Sequence, residues 1–459
     1  MSTQLERYAT QLQDLAKDLG LSYFPVDFEV VPPSFMMEVA VYGLPVRMPH
    51  WSFGVRWIYQ MVQHRMGHSR IFEVVFPGDP NRAYLVNSNS LTENTLVVAH
   101  VLGHADFSCN NLLFKRTQEE VGYHIVEQAA AHAHRIEQAI DSSGERRVEQ
   151  VLDVALSLEQ HIDPQHSHNR ALYLTETDQK PVESRDPFKT RFATLPGEAG
   201  GEFVKHSPPP RVKVPPQPEY DLLWFIAHYA PDMEDWERDI FLAVREESFY
   251  FNPVFSCQIM NEGWASHWHA RLLREAKFLP DDLYLEAMKT HSDVVRPYAG
   301  DNQVALAINP YHLGFMMWDH IVKDQGVDAA LRIRREEDDF SFVRNYLDAA
   351  LAKELDLFVY AARRSGEVQV TEADIATLHE ALLVSKYNFG APRIAVDEVR
   401  PDGTLVLRHE HQVDGRGLDI ERTRKVLAYI HAVWHRPVML YTVDGRGETQ
   451  CLGHGHGQM

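Results

Sequence analysis

Helical spacing of hydrophobic positions dominates residues 1–389. Apolar side chains recur every three or four positions, with polar residues between them. This spacing predicts helices over about 3–20, 118–140, 145–161, 280–295, 309–324, 326–334, 340–362 and 372–386. Another predicted helix contains "MEDWERDIFLAVREESFYF" and is expected to end at Pro253, and the next begins near Asn261. The pattern therefore predicts a large, mainly α domain.

Three regions depart from continuous helical spacing. The stretch "RIFEVVFPGDPNRAYLVNSNS" is typical of two strands joined by a Pro/Gly turn. Residues from about 186 to 219 are rich in Pro and Gly without a period, which indicates a long connection or surface excursion. Residues 390–459 contain two strands joined by an Asp-Gly turn, an Asp-capped amphipathic helix and a further strand. They predict a small C-terminal α+β domain.

Composition narrows the class of protein. The 459 residues carry a net charge of −20, which argues against nucleic-acid binding and against docking on anionic membranes. No run of 18 apolar residues and no signal-peptide pattern occurs, so we expect a cytoplasmic protein without membrane insertion. The three cysteines form no CxxC pair and fit a reducing compartment. The 25 histidines are a reason to look for metal ligands.

The segment "LVVAHVLGHADF" places His100 and His104 four residues apart, on one face of a predicted helix that Asn89 or Ser90 would cap. Zinc peptidases use this spacing, but they carry a glutamate where this chain has Val101. A pair of buried structural imidazoles is the alternative. Glu93 shares the face of His100, and Asp106 could orient an imidazole or cap the helix end.

Further acidic and histidine residues lie in apolar surroundings. In "IMNEGWASHWHARLL", Glu262 and His269 share a helical face, and Glu262 would need a metal or a partner such as Arg271 or Arg238 if buried. Glu247 follows Glu246 in "VREESFYFNP", so the two face different sides of a helix. His291 precedes an apolar pair and is either a site residue or a core histidine.

Five motifs together resemble the SpoVR family, which is named for a stage V sporulation protein linked to spore cortex formation. They are "MPHWSFG", "NSNSLTENTLVVAHVLGH", "LDVALSLEQHIDP", "IMNEGWASHWH" and "INPYHLGFMMWDHI". The C-terminal "LVLRHEHQVDGRGLD" is also similar to the end of the family. Members occur beside a serine kinase and a von Willebrand-type protein, also in bacteria that do not sporulate. The resemblance implies these partners and a role in sporulation or stress response.

"HVLGH" followed by "NEGWA" also looks like a group of zincin peptidases. That likeness implies a zincin-like helical domain in which His100, His104 and Glu262 hold zinc or another divalent metal, with an open fourth position. We also expect His269 and His291 in the same cleft, as an extra metal ligand or as a catalytic acid that donates to substrate; His269 is the candidate ligand and His291 the candidate catalytic residue. The implied function is hydrolysis of a peptide or peptidoglycan-type amide.

Since Val101 cannot accept a proton, two interpretations follow: another carboxylate is the base, or the zincin scaffold has lost hydrolysis and its metal is structural or binds a ligand. In the first interpretation, the base comes from elsewhere in the chain. Glu247 is the first choice, because the short connection to Glu262 is expected to place the two opposite each other. Glu93 is the second choice. Two alternatives stay open: a non-catalytic adaptor in a kinase-linked sporulation or stress complex, and a dinuclear iron or manganese protein, although no Glu-x-x-His pair surrounds the site.

Overall fold

The structure is a computed structural model that describes residues 1–65, 73–174, 182–184, 205–207, 213–296, 309–357, 359–362, 368–371, 374–413 and 415–455. Within these ranges the helices are α1 Thr3–Asp18, α2 Pro33–Tyr42, α3 Trp51–Arg65, α4 Leu91–Asn110, α5 Leu112–Val121, α6 Ile125–Ser143, α7 Glu145–Ser157, α8 Leu222–Tyr229, α9 Asp235–Ser256, α10 Gln258–Glu275, α11 Asp281–Val294, α12 Pro310–Gln325, α13 Val327–Glu336, α14 Asp339–Tyr346, α15 Ala349–Glu354, α16 Ile375–Leu383 and α17 Ile420–Trp434. The mainly helical class is confirmed.

The strands are short and few within the same ranges. They are β1 Val26–Val31, β2 Glu73–Phe76, β3 Asn81–Val86, β4 Val182–Ser184, β5 Lys205–Ser207, β6 Val359–Ala362, β7 Val368–Thr371, β8 Ile394–Val399, β9 Leu405–His409, β10 Val438–Val443 and β11 Thr449–His454. A 3₁₀ turn covers Tyr387–Gly390. The chain divides into two compact units, residues 1–168 with 234–391 and residues 169–233 with 392–459.

Helix α4 runs through the core of the first unit. Its N-terminus is capped by Ser90, whose hydroxyl accepts from the backbone N–H of Glu93 while Glu93 accepts from the Ser90 N–H. Between Thr95 and Ser108 every residue is buried, on all sides of the helix. A helix that is apolar all round is a core element. The histidines of this helix are therefore placed inside the protein.

A small mixed sheet packs beside α4. Strand β3 lies in the middle, parallel to β1 and antiparallel to β2. Strands β2 and β3 come from the predicted strand–turn–strand segment, so that prediction is confirmed. Glu73 is the first residue of the edge strand β2 and pairs with Leu85 of β3. The sheet thus brings a carboxylate to the neighbourhood of α4.

The prediction that Pro253 ends a helix is wrong. Helix α9 continues past Pro253 to Ser256, and the Pro253 carbonyl still accepts from the backbone N–H of Cys257 at 3.0 Å. The missing N–H and the ring of a proline disturb the preceding helical turn, whereas the following turn can still close. The next helix, α10, starts at Gln258 rather than near Asn261.

The second unit contains a four-stranded sheet in the order β11-β10-β9-β8. Its C-terminal part confirms the predicted strand pair and the Asp419-capped helix α17, and it adds β11, which the sequence pattern did not predict. Residues 169–233 belong to this unit, and Glu219 forms an isolated bridge with Val396. The predicted excursion at 186–219 lies mostly outside the described residues.

None of the helices within the described ranges is long and apolar enough to cross a bilayer.

Candidate metal centre

His100 and His104 lie on the face of α4 that packs against α10. Their side chains are almost fully buried. Gly103, between them, touches the neighbouring helix so closely that a Cβ there would stand 2.6 Å from the Cα of Ala265. Only glycine permits this approach of two helix backbones. The motif "HVLGH" therefore determines the spacing of the two histidines, and its glycine allows the close approach of α4 to α10.

Helix α10 carries Glu262. Its first turn is hydrogen-bonded to Asp339, and its backbone packs directly against α12. The Asp339 carboxylate accepts from the backbone N–H groups of Ile259 and Met260 at 3.0 Å each, which satisfies the first turn of the helix. A Cβ on Gly263 would lie 2.2 Å from the carbonyl carbon of Gly314 in α12. Glu262 is thus presented from a helix that cannot shift without breaking these contacts.

Three side chains converge at one point. The Nε2 atoms of His100 and His104 are 3.0 Å apart, and Glu262 Oε2 lies 3.4 Å from His104 Nε2 and 3.8 Å from His100 Nε2. All three candidate ligand atoms lie within 4.8 Å of one another. Ligands held at roughly 2.0–2.2 Å around a tetrahedral zinc are separated by roughly 3.4 Å. We call His100, His104 and Glu262 the histidine–glutamate cluster.

The second ring nitrogen of each clustered histidine has its own partner. His104 Nδ1 donates to Asn261 Oδ1 at 2.9 Å, which leaves Nε2 as the free lone pair. His100 Nδ1 lies 2.9 Å from His269 Nδ1, and His269 Nε2 lies 2.6 Å from His291 Nδ1. Metal-binding histidines are commonly held in this way, with the ring nitrogen that does not bind metal engaged elsewhere.

The charges within the cluster attract a cation. Burial disfavours a charged His104, but the negative charge of Glu262 and the hydrogen bond to Asn261 outweigh it and raise the pKa of His104 above 6.5. Burial would raise the pKa of Glu262, yet the charges of His104 and His100 lower it below 4.5. Burial and the neighbouring histidines lower the pKa of His269 well below 6.5, and burial lowers that of His291 to about 4.

The donor set fits a divalent metal. Glu262 Oε2 is buried, and it accepts no hydrogen bond from any residue within the described ranges. A buried carboxylate oxygen without a hydrogen bond is costly unless a cation neutralises it. Two imidazole lone pairs and one carboxylate form a common zinc ligand set with a fourth position left open. His100, His104 and Glu262 would hold the ion.

Two residues that sequence reasoning missed border the cluster. Glu73 Oε1 lies 3.8 Å from His100 Nε2, and burial, with a contribution from Glu262, raises the pKa of Glu73 above 4.5 against the opposing effect of the histidines. Tyr311 stacks on His100, with ring centroids 6.2 Å apart, and the charge of Glu262 together with burial raises its pKa. Tyr311 sits inside the motif "INPYHLGFMMWDHI", which was a usable signal. Glu73 carried none, because only the sheet brings it to α4.

The two carboxylates predicted as bases occupy other positions. Glu247 is fully buried, and its oxygens face Arg47 Nε at 2.8 Å and His132 Nδ1 at 3.3 Å. We call Arg47, His132 and Glu247 the arginine cluster, and it shares no member with the histidine–glutamate cluster. Glu93 is held in the N-terminal capping box of α4. The catalytic roles predicted for Glu247 and Glu93 stay predictions.

Asp106 follows the histidines on α4 but does not contact them. Its carboxylate accepts from the Ser22 backbone N–H, Trp264 Nε1 and Arg334 Nη1, all between 2.8 and 2.9 Å. Burial raises its pKa to about 6 in spite of Arg334. Asp106 therefore braces α4 against the surrounding helices, and neither the helix-cap nor the imidazole-orienting interpretation describes it.

Comparisons with known proteins support the resemblance noted in the motifs. The family model described as SpoVR like protein matches residues 1–390, and the model described as SpoVR-like C-terminal domain matches residues 392–445. The protein named Uncharacterized protein YcgB, from Escherichia coli (strain K12), is 26% identical over 486 residues, covering 98% of this chain and 93% of the relative. No solved structure matches, so the zincin-like fold stays a prediction.

The two family matches meet at residues 390 and 392, close to the end of the first compact unit at residue 391. Together they cover nearly the whole chain, and they carry no statement about activity or metal. The relative in Escherichia coli shares both regions, since the alignment spans almost all of both chains. The chain belongs to the SpoVR family.

Proposed function

We propose that this SpoVR-family protein is a zinc-dependent hydrolase of amide bonds in a peptide or a peptidoglycan-type substrate. The observation that carries the proposal is the convergence of His100 Nε2, His104 Nε2 and Glu262 Oε2 within 4.8 Å of one another, with Oε2 buried and without a hydrogen bond from the described residues. Two histidines, one carboxylate and an open position are the ligand arrangement of catalytic rather than structural zinc.

A bound zinc ion would supply Lewis acidity and lower the pKa of a coordinated water toward about 7. Glu73 is the general base in this proposal, because Val101, at the usual position of the base, cannot accept a proton. Its Oε1 stands 3.8 Å from His100 Nε2, and its raised pKa brings it closer to the pH at which a base works best. Its side chain is 18% exposed, which leaves it reachable from solvent.

Tyr311 supplies the hydrogen-bond donor. Because its pKa is raised, its hydroxyl keeps its proton at neutral pH and can donate to an oxygen that gains negative charge. Its ring packs nearly parallel to His100, with the ring centroids 6.2 Å apart. Glu73, as acceptor, and Tyr311, as donor, thus border the same three ligand atoms. This pair replaces the glutamate that usually follows the first histidine.

The test compares two glutamate variants of zinc-loaded protein. Glu73→Gln should keep zinc bound and lower turnover of a peptide or muramyl-peptide library by about 10²–10⁴-fold, because general-base catalysis contributes about that much. Glu93→Gln, which changes a side chain of the α4 capping box, should retain activity. Released amines and bound zinc are measured on the same samples.

Other outcomes would reject parts of the proposal. Full activity in Glu73→Gln would remove Glu73 as the base, and loss of activity in Glu247→Gln with zinc retained would favour the arginine cluster instead. A parent protein that binds zinc but cleaves no amide would reject hydrolysis. A parent protein that binds no metal would favour the adaptor function.

A further inference from the structure

A row of four buried histidines begins at the histidine–glutamate cluster and leads away from it. His104 and His100 come from α4, His269 from α10 and His291 from α11. Successive ring nitrogens are 3.0, 2.9 and 2.6 Å apart. His269 is fully buried, and His291 is 6% exposed. For two ring nitrogens at this distance to form a hydrogen bond, one must carry the proton and the other must offer its lone pair.

His269 lies on the opposite side of the His100 ring from Glu262. It faces Nδ1 of His100, whereas Glu262, His104 and Glu73 all face Nε2. Both nitrogens of His269 are already within hydrogen-bond distance of another imidazole. His269 therefore has no free lone pair to offer to an ion held between Nε2 of His100 and Nε2 of His104.

A neutral imidazole has one N–H and one lone pair, so the direction of the row follows from the state of His100. If Nε2 of His100 binds a metal, its proton is on Nδ1 and is donated to Nδ1 of His269. His269 then has its proton on Nε2 and donates it to Nδ1 of His291. The opposite order places a proton on Nε2 of His100, where it blocks the metal.

We propose that His269 and His291 are positioning residues that hold His100 in the tautomer with a free Nε2, and that neither is a metal ligand. The proposal rests on the proposed metal centre but not on hydrolysis. Nδ1 of His269 accepts a hydrogen bond from Nδ1–H of His100, and Nδ1 of His291 accepts one from Nε2–H of His269. The acceptor on His291 therefore fixes the tautomers of His269 and His100. Outer partners of ligating histidines act in this way in metal proteins generally.

The experiment measures zinc affinity and imidazole tautomers in full-length protein labelled with ¹⁵N-histidine. His269→Leu removes both contacts and should weaken zinc binding about 10–100-fold, the usual effect of losing such a partner. His269→Asn restores an acceptor oxygen near the Nδ1 position and should recover most of the affinity. His267→Ala, on the same helix but outside the row, is the matched control and should bind zinc like the parent.

The ¹⁵N spectra separate positioning from simple packing. Zinc-loaded parent protein should show His100 protonated on Nδ1 and His269 and His291 protonated on Nε2, with only His100 and His104 carrying a metal-shifted nitrogen. In His269→Leu the His100 signal should include the tautomer protonated on Nε2. If His269→Leu fails to fold, His291→Leu tests the same row from its outer end. Without the acceptor on His291, the spectrum should include His269 protonated on Nδ1.

The outcomes are distinct. A metal-shifted nitrogen on His269, or His269 protonated on Nδ1 in the loaded protein, would overturn the proposal. So would unchanged zinc affinity in both His269→Leu and His291→Leu, or a parent that binds no zinc, which would also overturn the proposed function. A parent that binds zinc with the expected tautomers but cleaves no amide would reject only hydrolysis.

Discussion

The arginine cluster and the histidine–glutamate cluster both pair histidine with a glutamate, but only the arginine cluster contains an arginine. Each places imidazoles next to a carboxylate inside the same helical unit. In the arginine cluster, Arg47 Nε lies 2.8 Å from Glu247 Oε2, so a permanent cation compensates the buried carboxylate. Arg47 also donates from Nη1 to the Tyr42 carbonyl and contacts Glu159. This cluster is complete as a structural ion-pair network.

The histidine–glutamate cluster has no such built-in cation. Within the described ranges, the ion-pair partners of Glu262 are histidines, and His100 and His104 direct their Nε2 atoms toward it. In the metal-free protein the available cation is a proton, and the raised pKa of His104 reflects this. A buried carboxylate beside imidazoles is therefore a candidate metal site when no arginine or lysine neutralises it.

The largest difference between the two clusters should appear in metal binding. His104→Ala removes one of three ligands and should lower zinc affinity by more than about 100-fold, exceeding the loss expected for an outer partner. His132→Gln, the matched change in the arginine cluster, should leave zinc affinity unchanged. Both values come from competition with a chromophoric chelator. Equal zinc binding in His104→Ala and the parent would erase the distinction between the clusters.

A smaller but clear effect is expected on stability. Arg47→Met leaves Glu247 buried without its cation and should lower the free energy of unfolding by about 3–5 kcal/mol, as for other broken buried pairs. Glu159→Gln removes only a partly exposed contact 3.4 Å from Arg47 and should cost less than about 1 kcal/mol. Urea denaturation measures both. Similar losses in the two variants would show that Glu247 does not depend on Arg47.

The smallest effect is a dependence of stability on pH that comes from the arginine cluster. Burial disfavours protonated His132, but Glu246 and Glu247 outweigh it and raise its pKa from 6.5 to about 9. Because the folded pKa is the higher one, this stabilisation is full below pH 6.5 and is lost as pH rises through about 9.

Between these pH values the free energy of unfolding should fall by on the order of 2 kcal/mol in the parent. His132→Gln cannot titrate and should be less stable at pH 6.5, with a flatter profile from pH 6.5 to 9. Denaturant melts of both proteins at several pH values provide the measurement. A profile as steep in His132→Gln as in the parent would assign the pH dependence to other groups.

Local sequence signals predicted the elements that bear the three proposed ligands. The Ser90 cap, the apolar run and the HxxxH spacing specify α4 and put His100 and His104 on one face. These properties depend on residues within a few positions of each other, where propensity and periodicity act directly. The glycines of "HVLGH" and "NEGWA" also record close helix contacts, since Gly103 and Gly263 each touch another helix backbone.

Contacts between distant residues were beyond the reach of such signals. Sequence reasoning placed Glu247 opposite Glu262 because a short connection joins their helices, but Arg47, 200 residues away, pairs with Glu247 instead. Pro253 was expected to end α9 and lies inside it. The sequence placed one domain boundary near residue 390. In the structure, residues 169–233 belong to the same compact unit as residues 392–459.

The sequence by itself determined the helical class, the caps and the shared faces of His100 with His104 and of Glu262 with His269, because these follow from a helical repeat of about 3.6 residues. Only the tertiary structure decided which nitrogen of each histidine faces Glu262, and that Glu73 rather than Glu247 stands beside them. The physical reason is that a buried charge takes its partners from whichever elements pack around it.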